Sequence, residues 1–189
     1  MIKKTITITT IFLLLASCIS CAPTYRTYNN TNKTVNFKNK EEAVDYFSKK
    51  YSYNREKIYF INPAETGSFM EYLVSQNTFY FYGITVSDTL KINSPLLKAD
   101  NYCSGVVSKV INSKNIDYKS EPTKISTFDL KNVQNKAIDF KKGKSVIFII
   151  SSKLGKSVNK TIKKLSTQVT ELEDPETDYY LICVDYYNN

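Results

Sequence analysis

Five consecutive β-branched or aromatic residues, Val146-Ile147-Phe148-Ile149-Ile150, follow Gly143-Lys144-Ser145. A strand in which every residue is apolar has no polar face to offer water, so it must be covered on both sides. That requirement points to a sheet with helices on each face. A helical pattern follows directly: Val158, Ile162 and Leu165 recur at three- and four-residue intervals, with Ser157 as the expected cap. Tyr179–Tyr186 then reads as another buried strand.

The upstream chain repeats this alternation. Asn39 and Glu42 have the spacing of a capping box, and Ala43, Val44, Phe47 and Tyr51 follow on one helical face. Lys57–Ile61 is a short strand. Asn62-Pro63-Ala64-Glu65 supplies a cap, a first-turn proline and an acid, opening a helix with Phe69, Met70, Leu73 and Val74 inward. Thr78–Val86 alternates as a long strand, with a shorter one at Leu90–Ile92. Asp100 is the expected cap of a helix to Lys114, with Val106, Val107, Val110 and Ile111 on one side. Short strands are expected near Ile125–Leu130 and Ala137–Phe140. The expected architecture is α/β, a layered fold with a mixed sheet of about five strands. Segments 57–86 and 144–186 each read strand–helix–strand and are expected to lie side by side as βαβ units.

The first 38 residues have a different character. Lys3 and Lys4 precede an apolar core from Ile6 to Ala16, too short to cross a bilayer as a permanent helix. Leu15-Ala16-Ser17-Cys18 follows, and this leader resembles that of bacterial lipoproteins. The resemblance implies cleavage before Cys18 and fatty acylation there, with two or three chains holding the protein at the membrane. Residues 1–17 are then a signal peptide, 18–38 a lipidated tether and 39–189 one α/β domain. Ile19, where an aspartate would imply retention at the inner membrane, favours the outer membrane if the envelope is Gram-negative. A thioether on Cys18 removes one thiol of Cys18-Ile19-Ser20-Cys21 and, with it, the redox or metal reading of that C-x-x-C. Twenty flexible residues have a root-mean-square span of roughly 25 Å.

Composition narrows the chemistry. The 189 residues contain no histidine, so Ser-His-Asp and Cys-His hydrolases and His-ligated zinc or iron centres cannot be built. Of 26 basic residues, removing the two leader lysines leaves 24 against 18 acids, a net charge of +6. Only Arg26 and Arg55 are arginines. A lysine excess without the bidentate arginine fork, and without a clustered basic stripe, argues against nucleic acid. The remaining partners are the membrane, through the lipid on Cys18, and an envelope protein or ligand that the sequence does not name.

Individual motifs are sparse. Cys103 lies near the start of the helix Asp100 would cap, where backbone amides favour a thiolate; it is the catalytic candidate of a thiol-enzyme reading. Cys183, between Ile182 and Val184, reads as core, though a Cys103–Cys183 disulfide also fits. Ser151–Ser157, "SSKLGKS", ends like a phosphate-binding loop but has Ile150 at the first glycine position. Asp185, closing the next strand, imitates a magnesium-site aspartate. Glu171–Asp178, "ELEDPETD", lacks the order of a calcium loop. Nothing calls for a cofactor. The segment Gly143–Asp185, a strand, a helix and a strand, resembles the opening βαβ of thioredoxin-like proteins. Their C-x-x-C position is Ser152-Lys153-Leu154-Gly155 here, so the resemblance implies that scaffold without its redox centre.

Overall fold

The computed structural model describes residues 35–75, 81–86, 89–91, 103–112, 123–140 and 144–185. The described strands join one mixed sheet in the order β4-β3-β2-β6-β7-β1-β5. Four strands form its body: β1 (Ile58–Ile61), β2 (Phe81–Val86), β6 (Lys144–Ile150) and β7 (Thr177–Cys183). The about five strands expected thus become four, extended by two- or three-residue ladders at β3 (Thr89–Lys91), β4 (Thr123–Lys124) and β5 (Leu130–Lys131). The helices are α1 (Lys40–Tyr51), α2 (Thr66–Ser75), α3 (Cys103–Asn112) and α4 (Gly155–Glu171).

The run from Val146 to Ile150 is central, as its composition requires. β6 pairs in parallel with β7 on one side and antiparallel with β2 on the other. Alternate residues of each parallel strand enter opposite cores. Ile58, Phe60, Val146, Phe148, Ile150, Leu181 and Cys183 face α1, α3 and α4. Tyr59, Ile61, Ile147, Ile149, Tyr180 and Ile182 face Phe69 and Leu73 of α2, together with Ile125 and Leu130. Full burial of each such aliphatic side chain contributes about 1.5–3 kcal/mol. Two cores sharing three strands explain why those strands carry no polar face.

Local signals act as read at several points. Asn39 Oδ1 accepts the Glu42 N–H at 2.9 Å, and Glu42 Oε2 accepts the Lys38 N–H at 2.7 Å. Asn62 Oδ1 accepts the Ala64 N–H at 3.1 Å. Pro63 opens a 3-10 turn, and α2 proper starts at Thr66.

Other expectations fail for identifiable reasons. Segment 57–86 is not a βαβ unit: β1 pairs with β7 and β5, while β2 lies beyond β6. Only 144–183 makes adjacent parallel strands joined by a helix. Met70, expected inward, is 40 % exposed, because Phe69 and Leu73 already fill the contact with the sheet. Ser157 does not cap α4; Ser151 caps a 3-10 turn at 152–154 that runs into it, accepting the Lys153 N–H at 3.1 Å. Residues 125–127 form a 3-10 turn, and Ala137 makes a single bridge to Lys131 instead of a strand. Phe37, assigned to the tether by composition, is buried against Tyr46 and Phe47. No helix among the described residues is long and apolar enough to cross a membrane.

Candidate functional site

In open α/β sheets, ligands and chemistry gather where parallel strands end at their carboxyl edge. Here that place is the junction of β6 with α4, beside the end of β7. The sequence separates Ser151 and Asp185 by a whole helix and strand, and the parallel register brings them together. Ser151 Oγ donates to Asp185 Oδ1 at 2.5 Å, and the Ser152 N–H donates to Asp185 Oδ2 at 2.7 Å. Asp185 is buried. A carboxylate accepting a hydroxyl and an amide at the start of a helical segment is stabilised by both bonds and by the amide dipoles.

Asn159, one turn into α4 and fully buried, completes the closure. Its Nδ2 donates to the carbonyls of Gly155 at 2.8 Å and Ser151 at 3.2 Å. Tyr53 Oη donates in turn to the Asn159 carbonyl at 2.8 Å. Burial drives the Tyr53 phenol well above its ordinary pKa, so it serves here as a neutral donor. Gly155 has φ 81°, which lets the chain turn from the 3-10 segment into the helix without Cβ strain.

This geometry revises two readings of the motif. The phosphate-loop likeness fails because the Ser152 and Lys153 amides are already bound to Asp185 and Ser151. The magnesium-site likeness of Asp185 fails because its two oxygens accept from Ser151 and Ser152. Ser152 Oγ is buried with no hydrogen-bond partner, a local cost of this tight junction.

Cys183 is a free, fully buried thiol, and burial followed by the nearby Asp185 charge pushes its pKa far up. The disulfide reading is therefore replaced by a core thiol held neutral. Cys103 is the first residue of α3. Its capping candidate Asp100 lies outside the described residues, as do Cys18 and Cys21. The acidic run is spent locally: Asp174 accepts from the Glu176 N–H and the Thr177 hydroxyl, and Asp178 pairs with Lys57 at 2.6 Å. Among the described residues no group of three or more Cys, Asp or Glu is placed to hold a metal ion.

Sequence reasoning missed a surface groove of 710 Å³ at the amino end of β1, lined in part by Arg55, Lys57, Tyr59, Asn132 and Lys136. Its cations are mostly engaged: Arg55 bonds Asp45 and Glu41, and Lys57 bonds Asp178. No local signal marks the groove, because its walls come from segments some eighty residues apart in the chain. Comparison with family models, with curated proteins and with solved structures found no match for this chain.

Proposed function

We propose that this chain is a bacterial envelope lipoprotein, acylated on Cys18, whose α/β domain binds or scaffolds another envelope component without chemistry of its own. The anchor reading is supported by Leu15-Ala16-Ser17-Cys18 behind a lysine-headed apolar core. Ile19 favours the outer membrane if the envelope is Gram-negative. The observation that carries the non-catalytic reading is the β6–α4 junction. In the thioredoxin-like scaffold that segment 144–183 resembles, this is where the thiol pair sits. Here Ser151, Ser152, Asp185, Asn159 and Tyr53 fill it with bonds to one another.

One observation favours a second reading, a thiol oxidoreductase of thioredoxin-like or peroxidase-like type. Cys103 stands at the amino end of α3, where free helix amides favour a thiolate. Alkylation of the folded protein between pH 5 and 8 separates the two. The binding reading expects Cys103 to react no faster than free cysteine, and Cys183 to react only on unfolding. Rapid reaction of Cys103 near pH 6 would replace it with the thiol enzyme. Mass spectrometry of the mature amino terminus checks the anchor: an acylated Cys18 is expected, and an unmodified terminus elsewhere would refute it.

A further inference from the structure

We propose that the outward face of α4 is a docking surface for anionic lipid headgroups, which orients the domain on the membrane to which Cys18 would tether it. The proposal rests on the anchored reading above. Lys156, Lys160, Lys163 and Lys164 recur at three- and four-residue spacing, and Lys153 precedes them on the 3-10 turn. Lys156, Lys160 and Lys164 are exposed and lie away from the buried stripe of Ile162, Leu165 and Val169, while Lys163 flanks that stripe and is half-buried. Lys156 and Lys164 are eight residues apart, about 12 Å along the axis. The expectation of no clustered basic stripe is thereby corrected, since α4 gathers these lysines along one side.

Three features set these lysines apart from ordinary surface charge. No ion pair joins any of them to a carboxylate among the described residues. Lys156–Lys160 and Lys160–Lys164 are like-charge pairs one turn apart, and Lys156 lies in a first turn that has no acid, against the helix dipole. The acids of this region stand at the opposite end, Glu171, Glu173, Asp174 and Glu176. The helix is thus charged against its own stability, and nothing in the described domain compensates. α4 also packs against both α1 and α3, so it is the middle helix of its layer and its outward face crests that side.

The charge chemistry selects lipid as the occupant. All five cations are lysines, hydrated point charges on flexible stems that suit a fluid anionic surface. A nucleic-acid or phosphopeptide site would draw on the arginine fork, and Arg55 is held by Asp45 and Glu41. A lipid on Cys18 does not by itself fix which face of the domain meets the bilayer, so the field decides which one does.

The test mixes the full chain with vesicles of phosphatidylcholine, or of phosphatidylcholine with 30 % phosphatidylglycerol (about one lipid in three anionic), and pulses it with an amine-acetylating reagent. Lys156, Lys160 and Lys164 should be acetylated several-fold more slowly on the anionic vesicles only, with the protection lost in high salt. Lys49 of α1, paired with Asp45, serves as the unchanged standard. Flotation of the combined Lys156→Gln, Lys160→Gln, Lys164→Gln variant should lose charge-dependent association by about fivefold per lysine. All three side chains are exposed, and circular dichroism confirms the fold. Equal acetylation on both vesicle types overturns the proposal. Protection in native envelopes but not on anionic vesicles also overturns it, assigning the face to a macromolecule other than lipid. The acyl state of Cys18, read by mass on the same sample, reports separately on the anchor.

Discussion

Helices α1 and α4 pack on the same face of the sheet and solve the same burial problem, yet their outward faces differ in kind. α1 begins with an asparagine cap and Glu41 and Glu42 in its first turn, and ends with Lys49 and Lys50. Each choice agrees with the helix dipole. Its charges are also matched: Asp45 holds Lys49 and Arg55, and Glu41 holds Arg55. α4 has no side-chain cap at its start, no acid in its first turn and no base in its last. The difference teaches that α1 is stabilised from both its faces, whereas α4 is held almost wholly by its buried one. The outward face of α4 is therefore the surface whose composition stability does not explain.

The comparison breaks first at the core. Ile162→Ala, in the fully buried stripe of α4, should cost about 2–5 kcal/mol in urea unfolding. A loss below 1 kcal/mol would mean that α4 does not depend on that stripe. Asn159→Ala is next, since it takes the buried Nδ2 donor away from the Gly155 and Ser151 carbonyls while Tyr53 keeps its bond to the backbone carbonyl of residue 159, with an expected loss of about 1–3 kcal/mol by the same measurement. On α1, Asn39→Ala removes the cap from the Glu42 N–H and should cost about 0.5–2 kcal/mol.

The smallest effect has the opposite sign. Lys160→Gln removes two like-charge pairs, to Lys156 and Lys164, and should raise stability by about 0.4–1 kcal/mol. Destabilisation by this exposed change would show that the lysine face supports the fold after all. The pH dependence sharpens the contrast further. The Arg55 hydrogen bond, followed by that of Lys49, holds the Asp45 carboxyl below its ordinary range. A depressed carboxylate contributes stability above its unfolded value of about 3.9 and loses it as pH falls through the lower folded value. Wild type and Arg55→Gln should accordingly differ at pH 7 and converge only as pH falls from about 4 through the depressed folded value, a gap read by thermal unfolding. A gap that persists at pH 2 would show that Arg55 acts on α1 through packing.

Much of the local structure was legible because it is written at short range. Asn39 and Glu42 are three residues apart, the inward residues of α1 and α4 recur every three or four, and Val146–Ile150 is apolar throughout. These patterns act through neighbouring backbone and through burial, which any stretch of chain expresses by itself. Met70 marks the limit of that logic: it has helical spacing, but which flank of a stripe meets the sheet depends on what else is packed there.

The sequence by itself determined the class of fold and the exclusion of histidine chemistry. Only the tertiary structure decided that β1 pairs with β7 across 120 residues, that β2 turns antiparallel to β6, and that Asp185 closes on Ser151. It alone set α4 against both α1 and α3. The physical reason is that strand pairing and buried polar contacts are chosen by competition among distant segments for the same edge or the same donor. Such competition leaves no mark in the spacing of neighbouring residues.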